Sequence, residues 1–118
     1  MISKELLSEV LNENVSSIVE VIGNKLYYLD KNAHTKSVNI YELAFKCKEW
    51  AIKQGYNIRT ESYDYLEDDS FNGTYWWVLR LRPKKWQEQG CPNCGANGTE
   101  PDGIFKACEW ILENKDIR

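Results

Sequence analysis

The chain has 118 residues, enough for one domain with its own core and no need of disulfide staples. Hydrophobic residues at 42% and charged residues at 28% are ordinary globular proportions, not those of a disordered chain. A net charge of −3 argues against wholesale binding to a phosphate backbone, while leaving room for a local basic patch or for docking on a basic partner.

Residues 1–5 lead into an amphipathic segment rather than a secretory signal, and no run approaches the roughly 20 apolar residues of a membrane span. The expectation is a cytoplasmic protein of a host cell, with no membrane partner. Four Cys in that setting read as thiols or metal ligands rather than disulfides.

Ser3 is placed to cap a short helix over residues 4–12, where Leu6, Leu7, Val10 and Leu11 recur at helical spacing. Residues 15–21 are rich in β-branched side chains. Gly23-Asn24 is a turn signal, and Leu26-Tyr27-Tyr28-Leu29 favours a second strand, so the stretch predicts a hairpin. Residues 30–36 are polar and read as a loop. It holds His34, an exposed surface histidine with no identifiable catalytic partner. From near Val38 a longer helix follows, with Ile40, Leu43, Ala44, Cys47, Trp50 and Ala51 on one stripe. Ser37 is its expected cap and Gly55 its stop.

Residues 56–65 alternate as a strand. An acidic, turn-rich loop comes next, and residues 74–81 form the strongest strand signal in the chain, closed by Pro83. Residues 84–98 read as an irregular inserted loop around Cys91-Pro92-Asn93-Cys94-Gly95. Thr99, with Asp102 as its box partner, opens a last helix whose buried stripe is Ile104, Phe105, Cys108, Ile111 and Leu112.

The expected order is α-β-β-α-β-β-α in one domain over residues 1–118. The fold class is α+β: one mostly antiparallel sheet packed by helices, with a three-layer sandwich as one arrangement. Phe45-Lys46-Cys47-Lys48-Glu49-Trp50 and Phe105-Lys106-Ala107-Cys108-Glu109-Trp110 look alike. The elements expected to flank them do not repeat, so the likeness reads as coincidence between two amphipathic helices.

Asn39-Ile40-Tyr41-Glu42-Leu43-Ala44, the Trp76-Trp77 strand and the run from Thr99 to Cys108 together resemble the phage ABA sandwich domain family, over roughly residues 38–114. The resemblance implies a phage or prophage origin and helix–sheet–helix layering. It implies no activity and carries over no functional residues. The Cys91–Cys94 loop departs from the family's short connection.

Cys91 and Cys94 have the spacing of half a zinc site, but no second pair completes it. A plain turn with two thiols, a zinc site shared between chains and a redox dithiol all remain open. Trp76, Arg80, Arg82, Lys84, Lys85 and Trp86 interleave rings and cations in the manner of a single-strand nucleic-acid surface, or of an ordinary solvated strand. Glu67, Asp68 and Asp69 offer an acidic loop that fits a basic partner or a solvated hairpin tip, and lack the order of a calcium loop. No phosphate loop, nucleophile elbow or histidine pair is present, so no enzyme is expected. The leading expectation is a noncatalytic phage accessory protein, monomer or homodimer, that binds a host or phage protein. Its alternatives are a counter-defence inhibitor of a host nuclease or effector, and a zinc-stabilised nucleic-acid binder.

Overall fold

Ser3 opens α1 (Lys4–Leu11), and its hydroxyl accepts the Leu6 amide at 3.2 Å as an N-cap. The computed structural model describes residues 2–63, 73–82, 85–88 and 99–114; for residues 62–63, 73–75, 77, 80–82 and 85–88 it describes the backbone alone. The Ser3 amide and hydroxyl both donate to Glu109 Oε1 at 2.8 Å, so the cap also ties the helix to the far end of the chain. Asn12, at φ 54°, ends α1 in the left-handed region that Asn tolerates.

β1 (Val15–Ile22) and β2 (Lys25–Asp30) form the expected hairpin across Gly23-Asn24, with Gly23 at φ 60°. β1 carries two bulges, at Ser16 and Val19, which break its register against β2. The Ser16 hydroxyl donates to the Leu29 and Asp30 carbonyls at 3.2 and 3.0 Å.

Residues 35–39 correct the expected loop. They form β3 (Thr35–Asn39), paired antiparallel with β2 from Leu29↔Thr35 to Lys25↔Asn39. Four of these five residues are exposed, so the strand has no alternation to betray it. The strand also moves the next helix boundary. The cap of α2 (Ile40–Lys53) is Asn39, not Ser37, and its side chain accepts the Tyr41 and Glu42 amides at 2.9 and 3.2 Å. Gly55, at φ 90°, follows the helix as expected.

β4 (Tyr56–Tyr63) and β5 (Gly73–Arg82) pair antiparallel without interruption, from Tyr56↔Arg80 to Tyr63↔Gly73. β6 (Lys85–Glu88) adds a short strand inside the stretch expected to be irregular. α3 (Glu100–Asn114) opens as its sequence predicts: Asp102 Oδ2 accepts both the Thr99 amide and hydroxyl, at 3.2 and 3.3 Å.

The fold is α+β, with antiparallel strands packed by helices. Among the described residues the strands form two three-stranded sheets, β1-β2-β3 and β4-β5-β6, where the pattern suggested one. Each sheet is a meander, and the next described element after it in the chain is a helix, α2 directly after β3 and α3 from Glu100 after β6. The two similar hexapeptides therefore sit in corresponding helices of two βββα units, and their flanking elements do repeat. Two of the strands that reveal this, β3 and β6, have no sequence signal of their own.

One core joins the units. Leu6 and Leu7 of α1, Leu26 and Tyr28 of β2, Leu43, Cys47 and Ala51 of α2, Ile58 of β4, Trp76 and Val78 of β5, and Phe105, Cys108 and Ile111 of α3 belong to it. α2 and α3 pack against β4, and α3 also against β5. Tyr56 and Ile58 of β4 face them, while the alternating Arg59 and Glu61 are exposed, which makes this part of the molecule two layers. Tyr56 also meets the Trp110 ring edge-to-face, with centroids 6.3 Å apart.

Candidate functional site

Trp76 is 2% exposed and lies opposite Thr60 in the β4–β5 ladder, so its ring is core. This removes Trp76 from the expected ring-and-cation surface, because a buried indole offers no face to a base; the side chains of Arg80, Arg82, Lys84, Lys85 and Trp86 lie outside the described residues. Backbone register sets Arg80 opposite Gln87, Leu81 opposite Trp86 and Arg82 opposite Lys85. Lys84, the acidic residues Glu67, Asp68 and Asp69, and the pair Cys91 and Cys94 lie outside the described residues. Cys47 and Cys108 are fully buried where their helical stripes place them, and the Cys108 thiol donates to the Cys47 carbonyl at 3.5 Å. Contact with the Cys47 thiol and burial push the Cys108 thiol up, away from the reactive thiolate. Among the described residues no group of three or more His, Cys, Asp or Glu is placed to hold a metal.

One titratable cluster lies on the first sheet. The Tyr28 hydroxyl donates to Glu13 Oε2 at 3.1 Å, and Lys36 Nζ donates to Glu13 Oε1 at 2.9 Å and lies 3.9 Å from Asp30 Oδ2. Asp30 Oδ1 accepts the Asn32 and His34 amides at 2.9 Å, which closes the β2–β3 turn. His34 Nδ1 lies 3.5 Å from Asp30 Oδ2 on a side chain that is 73% exposed. The Lys36 hydrogen bond lowers the Glu13 pKa, and the His34 amide lowers that of Asp30. The bond to Glu13 raises Lys36. Burial, then the Glu13 bond, push Tyr28 up to about 12. Each of these four shifts runs away from neutrality. A general acid or base needs the opposite, so the cluster is a clamp joining β2, β3 and the α1–β1 connection.

Two concavities flank α2. One, of about 540 Å³, lies between the end of α1 and α2 over the Trp50 ring, where Glu9 and Glu49 alternate with Lys46 and Lys53. Its charges balance and none of its lining residues is a Ser, Cys or His nucleophile. The other, of about 220 Å³, is a shallow recess between α2 and the start of α3, lined by Tyr41, Ala44, Phe45, Lys48, Pro101 and Ile104 together with Glu100.

Beside this recess stands the feature that sequence reasoning missed. Tyr41, Phe45 and Ile52 are 58%, 64% and 51% exposed, and Lys48 lies between them. The spacing 41, 45, 48, 52 is a 4-3-4 helical stripe, a second apolar seam beside the core-facing one. That spacing was the available signal, and the stronger core stripe masked it. On the neighbouring turns Glu42 and Lys46, and Glu49 and Lys53, stand at i, i+4 spacing, and Lys48 is the charged residue on the 41-45-48-52 stripe itself. Phe105, which matches Phe45 in the second hexapeptide, is 2% exposed. What is core in one unit is surface in the other.

Among the described residues no helix is long and apolar enough to cross a membrane. No family model matches the chain, and no curated protein or solved structure matches it.

Proposed function

We propose that the protein is a small noncatalytic phage or prophage accessory protein, and that it acts by binding another protein with the α2 ridge. One observation carries this reading: three large apolar side chains more than half exposed along a single helical stripe, beside a recess. Scattered apolar residues on a surface need no explanation, but an aligned apolar set with two aromatic rings does. Aromatic side chains dominate the energetics of protein interfaces because they bury much area at low cost in rotamer freedom. The charge pattern sets the partner's chemistry. As the charged residue of an otherwise apolar stripe, Lys48 calls for a carboxylate set within an apolar partner surface, and a host nuclease or effector belongs to that class of partner. The phage setting rests on the resemblance over residues 38–114.

The test is to place a photo-crosslinking phenylalanine analogue at position 45 in the full chain, in cells that express it, and to identify the adduct. The purified adduct protein is then titrated with the wild type and with Phe45→Ala and Lys48→Glu. The reading predicts one dominant adduct and at least a tenfold loss of affinity in each variant. No adduct, or affinity indifferent to both substitutions, would sink it.

A further inference from the structure

The two sheets expose four edge strands, and three of them carry protection against pairing with another chain. β1 is broken by two bulges, β3 has five residues with Lys36 among them, and β6 has four. β4 is different. It has eight residues, no proline and an unbroken register against β5. Along residues 57–63 its outer row makes no backbone hydrogen bond to another element among the described residues.

Arg59 and Glu61 lie on one exposed face of this strand. Their cross-strand neighbours on β5 are Trp77 and Tyr75, and neither charge has an ion-pair partner among the described residues. Charges on an edge ordinarily repel a second strand. This pair finds opposite charge in one two-fold register only.

We infer that β4 is a homodimer interface, in which two copies pair antiparallel about Thr60 into one six-stranded sheet. Residues directly opposite in an antiparallel pair share a face. A two-fold axis through Thr60 sets Arg59 of each copy opposite Glu61 of the other, giving two reciprocal ion pairs. It also sets Ile58 opposite Ser62 and Asn57 opposite Tyr63. An axis through Arg59 sets Arg59 against itself, and one through Glu61 sets Glu61 against itself. An axis through Ile58 or Ser62 leaves both charges without a partner. The charges therefore choose the register as well as the partner. One contribution opposes pairing: each Thr60 hydroxyl donates to its own Glu100 at 3.0 Å, so the two Glu100 carboxylates approach across the axis. This limits the affinity, and the dimer should form at roughly 100 µM protein rather than at nanomolar concentration. The edge borders the α2 recess at Glu100, while Arg59 and Glu61 alternate with Thr60 onto the other face of β4, so reversing their charges tests the strand pairing and not the ridge.

Sedimentation equilibrium of the full chain tests it, with wild type, Arg59→Glu, Glu61→Arg and the double reversal. Both positions are exposed, and thermal melts confirm that each variant folds. The expected result is a concentration-dependent dimer in the wild type and a dissociation constant raised about tenfold or more in each single reversal. The double reversal, which restores both pairs in swapped order, should return to within about threefold of wild type. A wild type that stays monomeric up to about 1 mM, or a dimer indifferent to the single reversals, overturns the proposal.

Discussion

Tyr28 is the most informative single residue in the clamp. It is 3% exposed, its hydroxyl donates to Glu13, and its pKa is pushed up to about 12. In the unfolded chain Tyr ionises near 10, so between about pH 10 and 12 the folded state binds more protons and stability falls as pH rises. Tyr28→Phe should flatten the melting temperature over that window and cost about 1 kcal/mol at pH 7 for the lost hydrogen bond. Glu13 and Asp30 act at the other end. Their pKa values are lowered, so their contribution is present above the unfolded carboxylate range and is lost as pH falls through their folded values. Cys47 and Cys108 were legible as core positions from helical spacing alone. Alkylation of the native protein followed by peptide mapping should label both only as fast as the protein unfolds; rapid labelling of either would contradict their burial. Trp76 was not legible in the same way. Strand alternation gives two faces and does not say which one the helices cover.

At the scale of elements, caps and turns were read more securely than strands. Ser3, Gly23-Asn24, Gly55 and the Thr99–Asp102 box act where the residue types place them, because each meets a local backbone demand. β3 escaped because an exposed edge strand buries no alternate face, and its pairing with β2 is a non-local fact. Asn39 shows the consequence. Its side chain accepts two amides at the start of α2, so Asn39→Ala should cost about 1 kcal/mol in chemical denaturation, whereas Ser37→Ala should be close to neutral. Trp76→Ala, which opens a cavity in the core where β5 packs against α3, should cost about 3–5 kcal/mol. A small effect would mean that the ring is not the core element its burial indicates.

Among the described residues the molecule is α1 followed by two βββα units that share one core. The hexapeptide likeness pointed to this, but the repeat was hidden while two of the six strands went unread. The units differ most clearly at one matched pair, with Phe105 inside and Phe45 outside. That difference turns a likeness of sequence into a statement about function, because a ring that one unit buries is offered to solvent by the other. The sites that the sequence advertised, at Cys91, Cys94 and the acidic loop, lie outside the described residues. The ridge that stands out was silent because its seam runs next to a stronger one. The most direct test of the account is calorimetric titration of the protein captured at position 45, using wild type and Phe45→Ala side by side with their melting curves. The account predicts at least tenfold weaker binding with a melting temperature unchanged within about 3 °C, since a 64% exposed ring contributes little to the core. Unchanged affinity, or a ring whose loss unfolds the protein, would contradict it.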